Sequence, residues 1–191
     1  MNRTVIARAV SIVGHPVVLL FAASLIAATS SGASAQQLWL IAGTMMVLSA
    51  LALGYSWFQV RAGRWAHIDA SVREERKSLN VVLAAALLLS ALLLWFSNEQ
   101  PALPLALALC AALVIAALLT GRWVKVSLHT AFATFATMLV WSIKPAFIVG
   151  LVTTAAVIWS RLVLRRHVVA DIAAGLLLGA AAGVGFNYTS I

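Results

Sequence analysis

Apolar residues run along this chain in long blocks separated by short polar stretches, and the block length is informative. A bilayer core about 30 Å thick needs roughly 20 apolar residues per helix, and seven blocks of about that size lie at 10–29, 38–60, 79–96, 102–120, 127–143, 145–160 and 168–187. The pattern predicts an all-α fold, a polytopic transmembrane bundle of about six to seven helices. The joining stretches are short, the longest polar one running from about Arg61 to Asn80, so residues 1–191 read as a single transmembrane domain.

Composition excludes the soluble alternative. The chain is 63% hydrophobic and 9% charged, against about 25% charged in an ordinary soluble domain. The single Cys110 lies in an apolar run, which rules out an intrachain disulfide framework and a paired metal-thiolate site. The N-terminus imitates a cleavable signal: Arg3 and Arg8 precede an apolar run from Val17 to Ala28, and Ala33-Ser34-Ala35 follows it. We read it as a retained first helix.

The net charge is +8. In a membrane protein basic loops report orientation before they report nucleic acid, and no nucleic-acid partner is expected. Alternating the helices puts the N-terminus and the 61–78, 121–126 and 161–167 loops on one face, with twelve of the thirteen basic residues; Lys144 alone lies opposite. Setting aside Arg73, Arg76, Lys77, Lys125 and Arg161 as candidate site residues still leaves seven against one. The positive-inside rule then makes this face cytoplasmic.

Polar groups at membrane depth are costly unless they are used, and three clusters on the basic face hold them. The first is the loop from Arg64 to Lys77, where Ser71 and Glu74 fit a capping box. The short helix it predicts puts Arg73, Arg76 and Lys77 on one face. A solvated juxtamembrane helix, with Glu74 and Glu75 pairing internally, explains the same residues. The second cluster is Lys125-Val126-Ser127-Leu128-His129-Thr130, at a helix mouth whose free N–H groups and positive dipole end suit an anion. Plain capping and an interfacial His explain it equally.

The third is Ser160-Arg161, five residues, His167, three residues, Asp171. His167 and Asp171 share one helix face, where the carboxylate can accept an imidazole N–H. A packing pair at the interface is the bland alternative, but an intramembrane acid is a functional site by default. Gly175, Gly179 and Gly183, four apart, read as a close-packing stripe.

In this order and on one face, the clusters resemble the type 2 phosphatidic acid phosphatase superfamily of membrane phosphatases. Its third motif, Ser-Arg, five residues, His, three residues, Asp, is matched completely by Ser160, Arg161, His167 and Asp171. Its second, Pro-Ser-Gly-His, reads here Val126-Ser127-Leu128-His129. Its first, Lys, six residues, Arg-Pro, departs most: no Lys stands seven residues before an Arg in the loop and no Pro follows, leaving Arg76 as the nearest equivalent of the Arg and Arg73 or Lys77 as the second cation. The resemblance covers residues 69–179, a phosphatase-like core.

It implies a lipid phosphatase with a phosphohistidine intermediate. His167 would be the nucleophile, Asp171 would orient it, and His129 would serve the leaving group as general acid. Arg161, Ser160, Ser127, Arg76, Arg73 and Lys77 would bind the phosphate. No metal or cofactor is implied, and the five acidic residues are scattered along the chain. The substrate would be a membrane lipid phosphate monoester or diphosphate, such as phosphatidic acid, phosphatidylglycerol phosphate or an isoprenyl phosphate, in a bacterial inner membrane. Two alternatives remain: an inactive relative that binds or transports anionic lipids, as the altered motifs and Leu128 favour, and a haem-carrying bundle with axial ligands among His15, His67, His129 and His167.

Overall fold

The computed structural model describes residues 2–68, 70, 72–97 and 101–189, and every regular element among them is a helix. In chain order they are α1 (Arg3–Val13), α2 (Pro16–Ser30), α3 (Ala35–Arg61), α4 (Arg73–Ser97), α5 (Ala102–Thr120), α6 (Leu128–Leu139), α7 (Lys144–Val163) and α8 (Val169–Thr189). Five of them, α3, α4, α5, α7 and α8, are long and apolar enough to cross a bilayer, and the bent pair α1–α2 makes up to six. Large apolar side chains such as Trp39, Phe96 and Leu177 are exposed along them, a cost that only a lipid surround removes. The chain is a polytopic helical bundle and an integral membrane protein.

Three elements differ from the sequence pattern. The block at 10–29 is broken, α1 and α2 meeting at a 47° bend. Pro16 cannot donate the N–H that a continuous helix needs, and it starts α2 instead, with His15 as the N-cap accepting from Val17 N–H through Nδ1. The block at 127–143 yields only α6, whose 12 residues rise about 18 Å, less than the hydrocarbon thickness. It tolerates this because it lies inside the bundle, packed against α2, α5, α7 and α8, with Phe135 and Ala131 fully buried.

The short helix expected after Arg64 is instead the first turn of one continuous α4. Of its expected capping pair, Ser71 lies outside the described residues, as does Asp69, and Glu75 supplies the carboxylate. Its Oε1 accepts from Ala66 N–H at 3.1 Å and its Oε2 from Val72 N–H at 3.2 Å. Buried at the base of the loop, Glu75 is a loop clasp.

The small-residue stripe of α8 packs on α6. A Cβ at Gly175 would stand 2.7 Å from the Ser127 carbonyl oxygen, one at Gly179 would collide with the Ala131 carbonyl oxygen, and one at Gly183 with the Met138 side chain. Close approach of this kind is what binds helices where no hydrophobic force separates them from lipid. It fixes α8 against the mouth of α6, and thereby the third sequence cluster against the second.

Candidate active site

Hydrogen bonds tie the three clusters to one end of the bundle. Arg73 Nη2 donates to the Gly121 carbonyl at 3.1 Å, Lys125 Nζ to the Arg166 carbonyl at 2.9 Å, and Ser127 N–H to the Asp171 carbonyl at 3.1 Å. Arg76, Asp171 and Arg166 are all near enough to Lys125 to act on its charge. Arg76 is half-buried on the first turns of α4, while Arg73 and Lys77 are exposed beside it.

His167 is delivered by the way α7 ends. Arg165 N–H donates to the Leu162 carbonyl and Arg166 N–H to the Arg161 carbonyl, the double closure of a Schellman motif. The residue that must turn left-handed is Arg165, at φ 51°, where an L side chain costs about 1–2 kcal/mol. Two residues later His167 faces back into the bundle with its side chain 12% exposed. Its Nδ1 lies 3.2 Å from Asp171 Oδ2. A carboxylate oxygen only accepts, so Nδ1 carries the proton and Nε2 keeps its lone pair.

Asp171 Oδ2 also accepts from Val168 N–H at 3.2 Å, so it caps α8 and orients the imidazole at once. Burial pushes the pKa of His167 below its ordinary value; the bond to Asp171 opposes this, and the charges of Lys125 and Arg161 add to it. Burial likewise lowers that of Lys125, helped by Arg76 and Arg166 and opposed by Asp171.

Arg161, on the last turn of α7, is the buried cation of the site, 8% exposed. Its Nη2 donates to Ser11 Oγ on α1, and its Nε is buried without a hydrogen-bond partner. A buried donor left without an acceptor costs about 1–3 kcal/mol, more when charged. His129, on the first turn of α6, is half-buried, with Arg161, His15, His167 and Arg166 close enough to act on its charge. Its ring meets that of His15 edge to face, with centroids 5.5 Å apart and planes at 89°.

The serines are placed differently from the cations. Ser127 and Ser160 are fully buried. Ser127 Oγ accepts from Thr130 Oγ1 at 3.0 Å, and Ser160 Oγ donates to the Val157 carbonyl at 2.8 Å. The Ser160 proton is thus spent within α7, whereas Ser127 acts in its bond as acceptor. Ser127 makes no side-chain cap to α6, so it leaves the first-turn N–H groups of that helix uncapped. Ser11 and His15 had no expected role in phosphate binding; the signal for His15 was present in the His-Pro step, which marks a cap and a helix start.

An apolar groove of about 360 Å³ runs between α1 and α7, lined by Val10, Val13, Gly14, Val152, Ala156 and Val157 among others, the last of these one turn before Arg161. Among the described residues no three His, Cys, Asp or Glu are grouped as metal ligands, and His67 lies apart, in the loop, lining a separate open pocket with Val60, Ala66 and Ile68. No family model matches the chain, and neither a curated protein nor a solved structure matches it.

Proposed function

We propose that this protein is a membrane phosphatase that hydrolyses a lipid phosphate monoester or diphosphate through a phosphohistidine intermediate, as its resemblance to the type 2 phosphatidic acid phosphatases implies. The observation that carries the reading is Arg161: a buried guanidinium whose Nε lacks an acceptor, next to His167 and His129. Such a group is built to receive an anion, and a phosphoryl oxygen would satisfy it.

In this reading His167 Nε2 attacks phosphorus while the bond to the lipid oxygen breaks. The departing oxygen, that of the lipid alcohol or, where the substrate is a diphosphate, that of a lipid monophosphate, takes a proton from His129. Asp171 holds the Nδ1 proton and stabilises the imidazolium character of the phosphorylated ring. Water then attacks phosphorus, giving its proton to His129; the P–N bond breaks, its electron pair returns to Nε2, and inorganic phosphate leaves. Arg161, Lys125 and Arg76, with Arg73 and Lys77 at the rim, counter the charge that develops on the equatorial oxygens. The first-turn N–H groups of α6 add donors aimed at an anion. Ser127 and Ser160 would add hydroxyl contacts to the phosphate, as the resemblance implies. The lipid tail follows the groove between α1 and α7, which starts one turn from Arg161.

The charge count of the loops supports a cytoplasmic active-site face, and the compact, Ala-rich chain suits a bacterial inner membrane. A second reading, an anionic-lipid binder or transporter without turnover, draws support from the altered second motif at Val126 and Leu128 and from the Ser160 hydroxyl, which donates to the Val157 carbonyl. Phosphate release from phosphatidyl and prenyl phosphates, run beside His167→Ala, decides between them. Turnover that persists in chelator and vanishes in His167→Ala is expected. Wild-type turnover in the variant defeats the phosphohistidine mechanism, and lipid binding without hydrolysis across the panel favours the second reading.

A further inference from the structure

The N-terminal helices lie outside the region of resemblance, yet they reach the site at two points. From α1, Ser11 Oγ accepts Arg161 Nη2 across 150 positions of chain. At the bend, His15 sets its ring perpendicular to that of His129 at 5.5 Å. Between these points Gly14 packs so closely on Val157, one turn before Arg161, that a Cβ there would stand 2.5 Å from the Val157 methyl.

The bend is rigid for local reasons. Pro16 fixes its own φ at the first position of α2, and His15 Nδ1 accepts from Val17 N–H. That bond orients the imidazole and, in the neutral ring, leaves the proton on Nε2. The ring facing His129 is therefore held by its own backbone, and a perpendicular aromatic contact is a favoured geometry. On the other arm, Ser11 fixes one nitrogen of the Arg161 fork and leaves its neighbour Nε buried and unpartnered.

We propose that the α1–α2 elbow is a working part of the active site, in which Ser11 and His15 are positioning residues that aim Arg161 and His129 at the phosphoryl group. The inference rests on the phosphatase reading. An elbow lets α1 lie on α7 while α2 lies on α6, so that each arm orients a group on the helix it packs against.

Paired variants of the full chain in detergent separate positioning from folding. His15→Asn keeps a side-chain oxygen able to cap α2 and removes the ring; His15→Phe keeps a ring against His129 and removes the cap. Ser11→Ala removes the acceptor for Arg161, and Ser11→Thr restores it. For His15→Asn we expect kcat for lipid phosphate hydrolysis to fall at least tenfold with KM changed less than threefold, and His15→Phe to recover most of the loss. For Ser11→Ala we expect vanadate to bind at least fivefold more weakly, with Ser11→Thr near wild type. Unchanged kcat in His15→Asn together with unchanged vanadate affinity in Ser11→Ala overturns the proposal. So do losses that follow the melting temperature of each variant regardless of which group it keeps. The vanadate arm does not require turnover: if the wild type hydrolyses no lipid phosphate, the phosphatase reading fails by itself, while the Ser11 pair still reports on the elbow.

Discussion

At the scale of single residues, the phosphatase reading makes the His167–Asp171 pair decide the pH behaviour. A nucleophilic imidazole must be neutral, and burial favours that form by holding its pKa below the ordinary 6.5. The acid limb of kcat/KM, which reports the free enzyme, should therefore lie below pH 6.5. Asp171 opposes the effect of burial and Lys125 reinforces it, so substitutions at the two have opposite signs. Asp171→Asn removes a group that favours the imidazolium; the acid limb should move to lower pH while kcat falls by up to about 10⁴-fold, the scale seen when a carboxylate no longer fixes a catalytic tautomer. Lys125→Met removes a charge that disfavours the imidazolium, and the limb should move to higher pH. Profiles of kcat/KM against pH for the three proteins check both signs, and a limb that stays in place in both variants would mean that neither charge acts on His167.

At the scale of elements, the decisive contact is that of α8 with α6, since it joins His167 and Asp171 to the mouth that carries His129. Gly179 meets the Ala131 backbone, which cannot move aside as a flexible side chain can, whereas Gly185 has open space at its Cβ position. Gly179→Ala should lower stability by about 1–3 kcal/mol, the usual cost of overpacking. Gly185→Ala should be neutral or raise stability by up to about 1 kcal/mol through helix propensity. Thermal unfolding in one detergent compares them, and equal effects would place the stripe away from the packing seam. This stripe was legible in the sequence because a spacing of four is a local property of one helix. The apolar blocks were legible for the same reason, while His167 and Asp171 meet at the spacing read from the sequence but not on one helix: His167 lies in the turn before α8, and Asp171 reaches back to it from the first turn. What stayed hidden depends on partners distant in the chain: the burial of Ser127 and Ser160, the Glu75 clasp, and the reach of Ser11 to Arg161. The break at His15-Pro16 sat between these cases, written locally in a proline but masked by the apolar residues on either side.

At the scale of the whole molecule, the three clusters occupy one end of the bundle, and under the proposed function the orientation of that end fixes which leaflet supplies the substrate. α7 runs from Lys144 to Val163, 20 residues or about 30 Å, so its two ends mark opposite faces. The face with Arg161 also carries Arg61 stacked over Trp57 at 4.9 Å and Arg122 over Trp123 at 3.5 Å, the cation and aromatic pairing of a headgroup boundary. Arg122 and Lys144 are both exposed, and the native Cys110 is buried, so a membrane-impermeant thiol reagent reads an introduced cysteine without background. With the basic face in the cytoplasm, Lys144→Cys should label in intact cells and Arg122→Cys only after permeabilisation. The reverse pattern would move the site to the outer leaflet. The groove between α1 and α7 would then draw its lipid from that side, and the excess of basic residues around the site would reflect phosphate binding beyond the five cations assigned to it.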